Sequence, residues 1–522
     1  MFLRRPKSVA LFLAAFFFIG GLALAQWPAD IKVETDSGNY STHVYVTSDG
    51  MGVYELWRDH RPPGTYDNGA IYFNYSHNKG VTWGSTDQRI DVGKVQGANM
   101  SDWPAIACSG VFVYAVWQDH RNDPTNLDLP NVYFNRSTNG GMTWGAQDVQ
   151  IDTGAPVNTT IAENVSLRAH SNYVYVCWKD ERNGLPNVYF SMSDDYGQTW
   201  STPGPVDPTG SQFYNQQYPV MDCDGTTVYA AWQDSRNANQ DIYFNHSSDA
   251  GVTWNSGAVR RVDTDNPALG DSIYLYMSAG KSGGGGKTFQ FKNFSYSSQL
   301  VGSFGGLSAS GLAGKRKPVY CIWRDYRNSQ GSFMLDIFAN VSTDSGVTWG
   351  AQDARLNSHH SPGTVWVGEP VIAGAGEAVY GVWLDEKDDP TPGSTPFIDD
   401  VYLSRNLAWG DVASWSVPIR MDEGVTPGFA DSWNPQVAAS GSNVWVVWMD
   451  DRDDQVNFYD SVYCTYSTDK GDNWTFSERV DSGGTNPGAG YCEIWADGSR
   501  LNVAFRDYRF GAADAFYNGR DF

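Results

Sequence analysis

The feature that most constrains the fold is a five-residue pattern, W-x-D-x-R, which recurs along nearly the whole chain. Six copies keep all three residues and begin at Trp57, Trp117, Trp178, Trp232, Trp323 and Trp448. Two variants keep the spacing, Trp383–Lys387 and Phe505–Arg509, and bring the total to eight. Such self-similarity indicates an array of equivalent units, each burying its apolar surface against its neighbours.

A second pattern, S-x-[DN]-x-G-x-[TN]-W, follows most copies of the first. It occupies Ser76–Trp83, Ser137–Trp144, Ser193–Trp200, Ser247–Trp254, Ser342–Trp349 and Ser467–Trp474, with a decayed copy at Ser404–Trp409. Between these motifs, Val, Tyr, Ile and Phe alternate with small or polar residues, a period of two that is typical of short antiparallel strands. In the second unit the expected strands are Ala105–Cys108, Phe112–Trp117, Val132–Arg136 and Val149–Asp152.

Eight units of four strands predict an all-β fold, a single β-propeller of eight four-stranded blades. The eighth unit ends after its third strand, Asp514–Asn518, and lacks a fourth. The N-terminal segment Ile31–Asp36 resembles the fourth strands Arg261–Asp263 and Arg479–Asp481. We therefore expect the N-terminal strand to complete the last blade, which would close the ring and leave no exposed sheet edge.

The first 25 residues have the pattern of an export signal. Arg4, Arg5 and Lys7 precede an apolar segment at 9–24, and Ala23–Ala25 forms a small-residue cleavage site. No later segment is apolar enough to span a bilayer. The expected organisation is a signal peptide at 1–25 and a propeller at 26–522, which acts outside the cytoplasm as a secreted or periplasmic monomer without a membrane span.

The formal charge of the chain is −23, and losing Arg4, Arg5 and Lys7 with the signal would make it −26. This excess argues against nucleic acid as a partner, and it disfavours polyanions unless a local basic pocket overrides the global field. One segment is basic: no Asp or Glu occurs from Ser272 to Arg324, and residues 280–317, the basic insertion, are rich in Gly, Ser and Lys in blade five. We consider either a solvated loop or a docking segment for an anionic partner, projecting from the face opposite the pocket.

Cysteines and acidic loops give weaker indications. The six cysteines are Cys108, Cys177, Cys223, Cys321, Cys464 and Cys492, none in a C-x-x-C spacing, so buried thiols or one or two disulfides are expected rather than a metal–thiolate site. No cofactor is expected. The acidic segments Asp385–Asp389, Asp399–Asp400 and Asp450–Asp454 offer the oxygen ligands that Ca²⁺ prefers, which makes calcium the one candidate ion.

The W-x-D-x-R motif occurs in every blade, so it is best explained by a structural role that every blade needs. In this role an Asp–Arg pair holds a loop in place while the Trp packs in the core. Function is therefore expected where the blades differ, at the loops that lead into each first strand and converge on the central channel. The positions chosen on this basis are Thr42, Trp103, Asn164, Tyr218, Ser272, Glu369, Asn434 and Glu493.

A glycosidase needs two carboxyl groups that flank the scissile bond, one protonated and one ionised. Glu369, Glu493 and Asp102 are the candidate catalytic carboxyls. Aromatic rings can stack on sugars and arginines can bind a carboxylate. The candidate substrate-binding residues are Trp103, Tyr218, Trp433, Tyr491, Arg58, Arg324 and Arg506.

The second motif resembles the Asp box (BNR repeat), and the chain looks like secreted bacterial Asp-box, sialidase-like β-propeller proteins. The resemblance implies a turn between third and fourth strands, on the face opposite the pocket. It does not extend to the sialidase active site, because the chain has no R-I-P segment and Val417–Met421 only reverses it.

Three functions remain open. One is a glycan-directed enzyme, a sialidase-like glycoside hydrolase or a polysaccharide lyase. The others are a non-catalytic propeller that binds a carbohydrate or a cell-surface or extracellular protein, and an assembly scaffold that uses the basic insertion.

Overall fold

A computed structural model describes residues 27–522 except 37–39, 62–68, 94–99, 124–128, 156–159, 210–213, 255–258, 266–270, 280–287, 290–299, 302–303, 306–317, 330–333, 377, 390–397, 409, 455–458 and 483–487. The chain forms eight antiparallel four-stranded blades, as predicted. The only helix among these residues is the 3-10 turn Glu386–Asp388, and no helix found there could span a bilayer. The signal segment 1–25 lies outside the described residues and stays a prediction.

The first strand of each blade is the innermost, because first strands of neighbouring blades contact one another around the axis. These strands are Ser41–Ser48, Ser101–Ser109, Ala162–His170, Gln216–Asp224, Ser272–Ala279, Val367–Ala375, Ser432–Ser440 and Ala489–Asp497. The second strands are Val53–Asp59, Phe112–Asp119, Tyr173–Asp180, Thr227–Asp234, Val319–Asp325, Ala378–Asp385, Asn443–Asp450 and Arg500–Asp507.

The outer half of each blade is a long third strand and a very short fourth strand. The third strands are Ala70–Ser76, Asn131–Ser137, Asn187–Ser193, Asp241–Ser247, Asp336–Ser342, Asp400–Asn406, Ser461–Ser467 and Asp514–Asp521. The fourth strands of blades one to seven are Gln88–Arg89, Val149–Gln150, Gly204–Pro205, Arg260–Arg261, Ala354–Arg355, Ile419–Arg420 and Glu478–Arg479. Strand order confirms the expectation for the second unit, although each strand there differs by up to four residues at its ends.

Ring closure occurs as the sequence predicts. The segment Ile31–Lys32 pairs antiparallel with Asp514–Asp521, with Ile31 opposite Tyr517. The tryptophan that ends the S-x-[DN]-x-G-x-[TN]-W motif of the first blade, Trp83, packs against Tyr517 at a ring distance of 5.1 Å. The same contact between a motif Trp and an aromatic residue of the preceding blade recurs at Phe73–Trp144, where the distance is 4.9 Å. The N-terminal strand therefore joins the two ends of the array through both pairing and packing.

The W-x-D-x-R motif is structural, as expected. In blade three, Asp180 accepts hydrogen bonds from Trp178 Nε1 at 2.7 Å and from Arg182 Nη2 at 2.6 Å. The Arg182 guanidinium lies over the Tyr189 ring at 4.3 Å. The motif thus ties the end of the second strand to the third strand and to the apolar core.

The S-x-[DN]-x-G-x-[TN]-W motif forms a hydrogen-bonded turn. Asp195 Oδ1 accepts the backbone N–H groups of Gln198 at 2.8 Å and Thr199 at 2.9 Å. Gly251 shows why this turn needs glycine: its φ is +85°, and a Cβ there would lie 2.1 Å from the Phe190 ring.

Replacing Asp195 by Ala should lower the free energy of unfolding by about 1 kcal/mol, because two backbone donors lose their acceptor. Asp195→Asn is the matched control: Asn78 and Asn139 occupy the same position in blades one and two and accept the equivalent N–H groups at 2.9 Å. We expect the Asn variant to stay within about 0.5 kcal/mol of the parent in urea denaturation. Equal losses in both variants would contradict this role of the turn.

The state of the cysteines, which the sequence leaves open between free thiols and one or two disulfides, is defined by the structure. All six cysteines are buried free thiols, so no disulfide forms.

Of the basic insertion, only Thr288–Phe289, Leu300–Val301 and Phe304–Gly305 are described. The last of these pairs parallel with Gly374–Ala375 at the C-terminal end of the inner strand of blade six. This part of the insertion therefore lies against the ring, whereas the sequence predicts that the insertion projects away from it.

Candidate functional site

Each innermost strand carries a bulge at the channel mouth. At this point the pairing register shifts, and in seven of the eight blades a described non-glycine residue takes a positive φ between 44° and 56°. A bulge redirects a side chain, and such backbone strain costs on the order of 1–3 kcal/mol per residue. The bulge residues in the described chain are His43, Trp103, Asn164, Tyr218, Glu369, Asn434 and Tyr491.

Five of the eight positions chosen from the sequence are these bulge residues, and three are displaced from them. Thr42 and Glu493 lie one and two residues away from the true equivalents, His43 and Tyr491. Ser272 precedes the bulge and donates a hydrogen bond to Asp325 Oδ2 at 2.9 Å. Sequence reasoning thus missed His43, which the alignment Ser41-Thr-His43 with Ser101-Asp-Trp103 would have found.

Five side chains from blades one, two and eight form what we call the channel-mouth cluster: His43, Arg58, Asp102, Tyr491 and Arg506. Arg58 Nη1 donates to Asp102 Oδ2 at 2.9 Å across the boundary between blades one and two. Asp102 Oδ1 accepts the backbone N–H of Trp103 at 2.8 Å. Burial raises the pKa of Asp102 and the Arg58 charge opposes that rise. Asp102 is therefore held at this boundary by one guanidinium and one backbone donor.

His43 is held with one nitrogen toward the protein. Its Nδ1 lies 3.1 Å from Thr42 Oγ1 and 3.5 Å from Asp102 Oδ1, both of which can accept its proton. Its Nε2 makes no hydrogen bond within the described part of the chain. Burial, followed by the charges of Arg58 and Arg506, lowers the pKa of His43 well below 6.5. His43 is thus a neutral imidazole, and with its proton on Nδ1 its Nε2 carries the lone pair.

Arg506 is a buried cation without a carboxylate partner. It is 6 % exposed, and its Nε donates to Gly490 O at a long 3.4 Å. Its guanidinium lies 4.2 Å from the Tyr491 ring centre and 5.9 Å from that of Tyr508. No acidic side chain among the described residues forms a salt bridge with it. Because an uncompensated buried charge is costly, this position favours an anionic ligand.

An aromatic wall adjoins Arg506. Trp433 meets Tyr491 edge to face at 5.2 Å, and Trp103 lies 4.2 Å from the His43 ring. Burial raises the pKa of Tyr491, so its hydroxyl keeps its proton at neutral pH. The cluster and the two neighbouring tryptophans therefore bring together a neutral imidazole, a protonated phenol, the Arg506 guanidinium and flat apolar faces.

The other candidate carboxyls play different parts. Glu369 Oε2 accepts the backbone N–H of Asn434 at 3.0 Å and so ties blade six to blade seven. Glu493 is buried in the inner strand of blade eight, and its charge and that of Asp102 both raise the pKa of Tyr45, after burial. The structure therefore places Glu493 and Asp102 around Tyr45 and gives Glu369 an inter-blade bond.

Two of the candidate substrate-binding residues lie away from both the cluster and its neighbouring tryptophans. Tyr218 belongs to blade four, opposite blade eight, near Glu163 and Lys179, which pair at 2.6 Å. Arg324 lies over the Trp366 ring at 5.1 Å, at the boundary between blades five and six. The structure thus unites Arg58, Asp102, Trp103, Trp433, Tyr491 and Arg506, and separates Tyr218 and Arg324 from them.

The acidic loops proposed for calcium have protein partners. Asp388 Oδ2 accepts from Tyr402 at 2.5 Å and Asp453 Oδ2 from Tyr463 at 2.7 Å. Asp451 Oδ1 accepts the backbone N–H of Asp431 at 2.9 Å. Calcium binding by these loops stays a prediction.

Comparison with known proteins finds structural similarity but no sequence relative. No family model and no curated protein sequence matches it. A polysaccharide lyase, Uly1, is similar over 92 % of this chain and 99 % of its own, with 10 % identity and a TM-score of 0.48. An α-L-arabinanase from Penicillium chrysogenum covers 69 % of this chain and 94 % of its own, with 11 % identity and a TM-score of 0.36. An intramolecular trans-sialidase from Ruminococcus gnavus covers 95 % and 96 %, with 12 % identity and a TM-score of 0.34. At such values the similarity carries no argument about activity.

Proposed function

We propose that the channel-mouth cluster binds an acidic polysaccharide at a uronate residue and cleaves it by β-elimination, as a polysaccharide lyase does. The observation that carries the proposal is Arg506, a buried guanidinium with no carboxylate partner among the described residues. A guanidinium matches a carboxylate in shape and charge, and the adjacent rings of Tyr491 and Trp433 suit the flat face of a sugar. The net charge of −23 repels polyanions elsewhere, which restricts their binding to this pocket.

The residues of the cluster fit each step of the elimination. Arg506 would neutralise the uronate carboxylate and so acidify the C5–H bond. His43 Nε2 would take the C5 proton, and the C5–H electron pair would form the C4–C5 double bond as the C4–O4 bond breaks. Tyr491 would protonate the departing O4 and recover its proton from solvent. The products are an unsaturated uronate and a new chain end, and no cofactor or oxidant is needed.

The test is product release from pairs of polysaccharides that differ only in the carboxyl group. Uronate polymers should give the absorbance of an unsaturated uronate, and the same polymers after chemical reduction of their carboxyls should give none. Reducing ends without that absorbance would assign a hydrolase. Binding without turnover would leave a recognition propeller, and both results would overturn the lyase proposal.

Replacing Arg506 by Gln should lower kcat/KM on uronate polymers roughly 10- to 100-fold, the effect of losing one or two charged hydrogen bonds. Glu369→Gln is the matched control, because Glu369 bonds to the backbone of Asn434 and has no step in the elimination. Activity lost in the Glu369 variant and kept in the Arg506 variant would instead support a carboxylate-based glycosidase.

The proposal implies that the protein is exported before it meets its substrate, because polysaccharides stay outside the cell. The N-terminal segment supports it, with Arg4, Arg5 and Lys7 ahead of an apolar stretch and Ala25 at the cleavage site.

A further inference from the structure

Blade six lacks the arginine of the W-x-D-x-R motif, whereas the other seven blades keep both its aspartate and its arginine. Lys387 stands in place of the arginine. Its Nζ forms an ion pair with Asp388 Oδ1 at 3.2 Å and not with Asp385, the aspartate of the motif. Elsewhere the guanidinium lies 3.9–4.4 Å above an aromatic ring of the third strand, as Arg61 does above Tyr72. In blade six the imidazole of His359 takes this place, 4.4 Å from the Tyr402 ring.

Two histidines converge on the aspartate of this blade. His359 Nε2 lies 3.3 Å and His360 Nε2 3.4 Å from Asp385 Oδ2. The His359 side chain is only 10 % exposed, and neither of its ring nitrogens has a hydrogen bond of good geometry within the described chain. A nine-tenths buried imidazole without hydrogen bonds is costly unless another group satisfies it.

A backbone acceptor orients the His360 ring. Its Nδ1 lies 3.0 Å from Ser361 O, to which it can only donate. This contact directs Nε2 toward Asp385 Oδ2, 3.4 Å away. The amide Nδ2 of Asn357 lies 3.2 Å from the same nitrogen and also donates to Asp336 Oδ1 at 2.8 Å. A backbone acceptor on the second ring nitrogen is also how metal-bound histidines are usually oriented.

We propose that His359, His360 and Asp385 bind Zn²⁺ through Nε2, Nε2 and Oδ2, with the fourth position open to water. At metal–ligand distances of about 2.0–2.1 Å, neighbouring tetrahedral ligands lie roughly 3.3–3.4 Å apart, which agrees with both N···O distances. Two imidazoles and one carboxylate favour zinc over the oxygen-seeking Ca²⁺. The ion replaces the missing guanidinium and joins the loop after blade five to the second strand of blade six. This inference is independent of the proposed lyase activity.

The test is zinc uptake by tag-free, chelator-treated protein, with thermal stability as a second measurement. We expect one Zn²⁺ per chain, a melting temperature that rises on reloading, and with Co²⁺ the visible spectrum of a tetrahedral site. His359→Ala should lower zinc affinity at least ~100-fold. His246→Ala, which removes a histidine from a third strand far along the chain, should leave it unchanged.

A second variant keeps the inference testable if His359→Ala is unstable. The double substitution His359→Ala with Lys387→Arg restores the guanidinium of the other blades, so it should fold without zinc and lose the response to chelator. Absence of stoichiometric uptake by the parent, or uptake that His359→Ala does not reduce, would overturn the site. A parent that gains stability only on acidification would assign two protonated imidazoles instead.

Discussion

His43→Gln is expected to lower kcat/KM on a uronate polysaccharide by ~10²–10⁴-fold while substrate binding changes little. Gln fills the same space and can still bond to Thr42, but it cannot take a proton, and general bases contribute about that factor. The measurement is the initial rate of unsaturated-uronate formation, with affinity from calorimetry on the inactive variant. Activity within threefold of the parent would exclude His43 as the base.

The pH dependence of kcat/KM and of stability provides a second test of the role of His43. Burial and the charges of Arg58 and Arg506 hold the pKa of His43 well below 6.5, so the acid limb of kcat/KM should fall below pH 6.5. In the window between that lowered pKa and 6.5, the unfolded chain binds a proton that the folded chain does not. Stability should therefore rise with pH across this window, and His43→Gln should remove that part of the slope.

The architecture could be predicted because its signals are local and repeated. Each W-x-D-x-R copy marks the end of a second strand, and the fourth-strand pattern at Ile31–Asp36 was enough to predict the closure seen at Ile31–Tyr517. Eight weak signals at a common spacing reinforce one another, which a single pattern in one blade does not do.

The site was harder to predict because it depends on register and on contacts between blades. A bulge interrupts the period of two, so Glu493 was chosen where Tyr491 is the equivalent of Trp103. Residue types do not reveal such a shift. The Arg58–Asp102 pair joins residues of different blades. His359, which lies in the loop after blade five, takes the place of the motif arginine in blade six. These two contacts depend on how the sheets pack against each other.

Asp180→Ala should cost about 3–5 kcal/mol of unfolding free energy, which is large against the roughly 5–15 kcal/mol of a typical domain. Asp180 is 1 % exposed and accepts from Trp178 Nε1, the backbone N–H of Arg182 and two guanidinium nitrogens of Arg182. Within the part of the chain that the structure describes, the other acceptors of Arg182 are the carbonyls of Asp152 and Thr153. Removing Asp180 therefore leaves a nearly buried cation without a carboxylate in contact.

Blade four supplies the matched comparison, because Arg236 contacts two carboxylates, Asp234 at 2.5 Å and Asp207 at 2.6 Å. Asp234→Ala leaves Arg236 paired, so its denaturation midpoint should fall less than that of Asp180→Ala. Asp194→Ala, an exposed change in blade three, should stay within about 0.5 kcal/mol. If the losses at Asp180 and Asp234 were equal, the cost would come from the lost Trp and backbone bonds that both share. A larger loss of unfolding free energy in Asp180→Ala would instead measure the cost of leaving the Arg182 guanidinium unpaired. We infer that an anionic ligand removes the same kind of cost at Arg506.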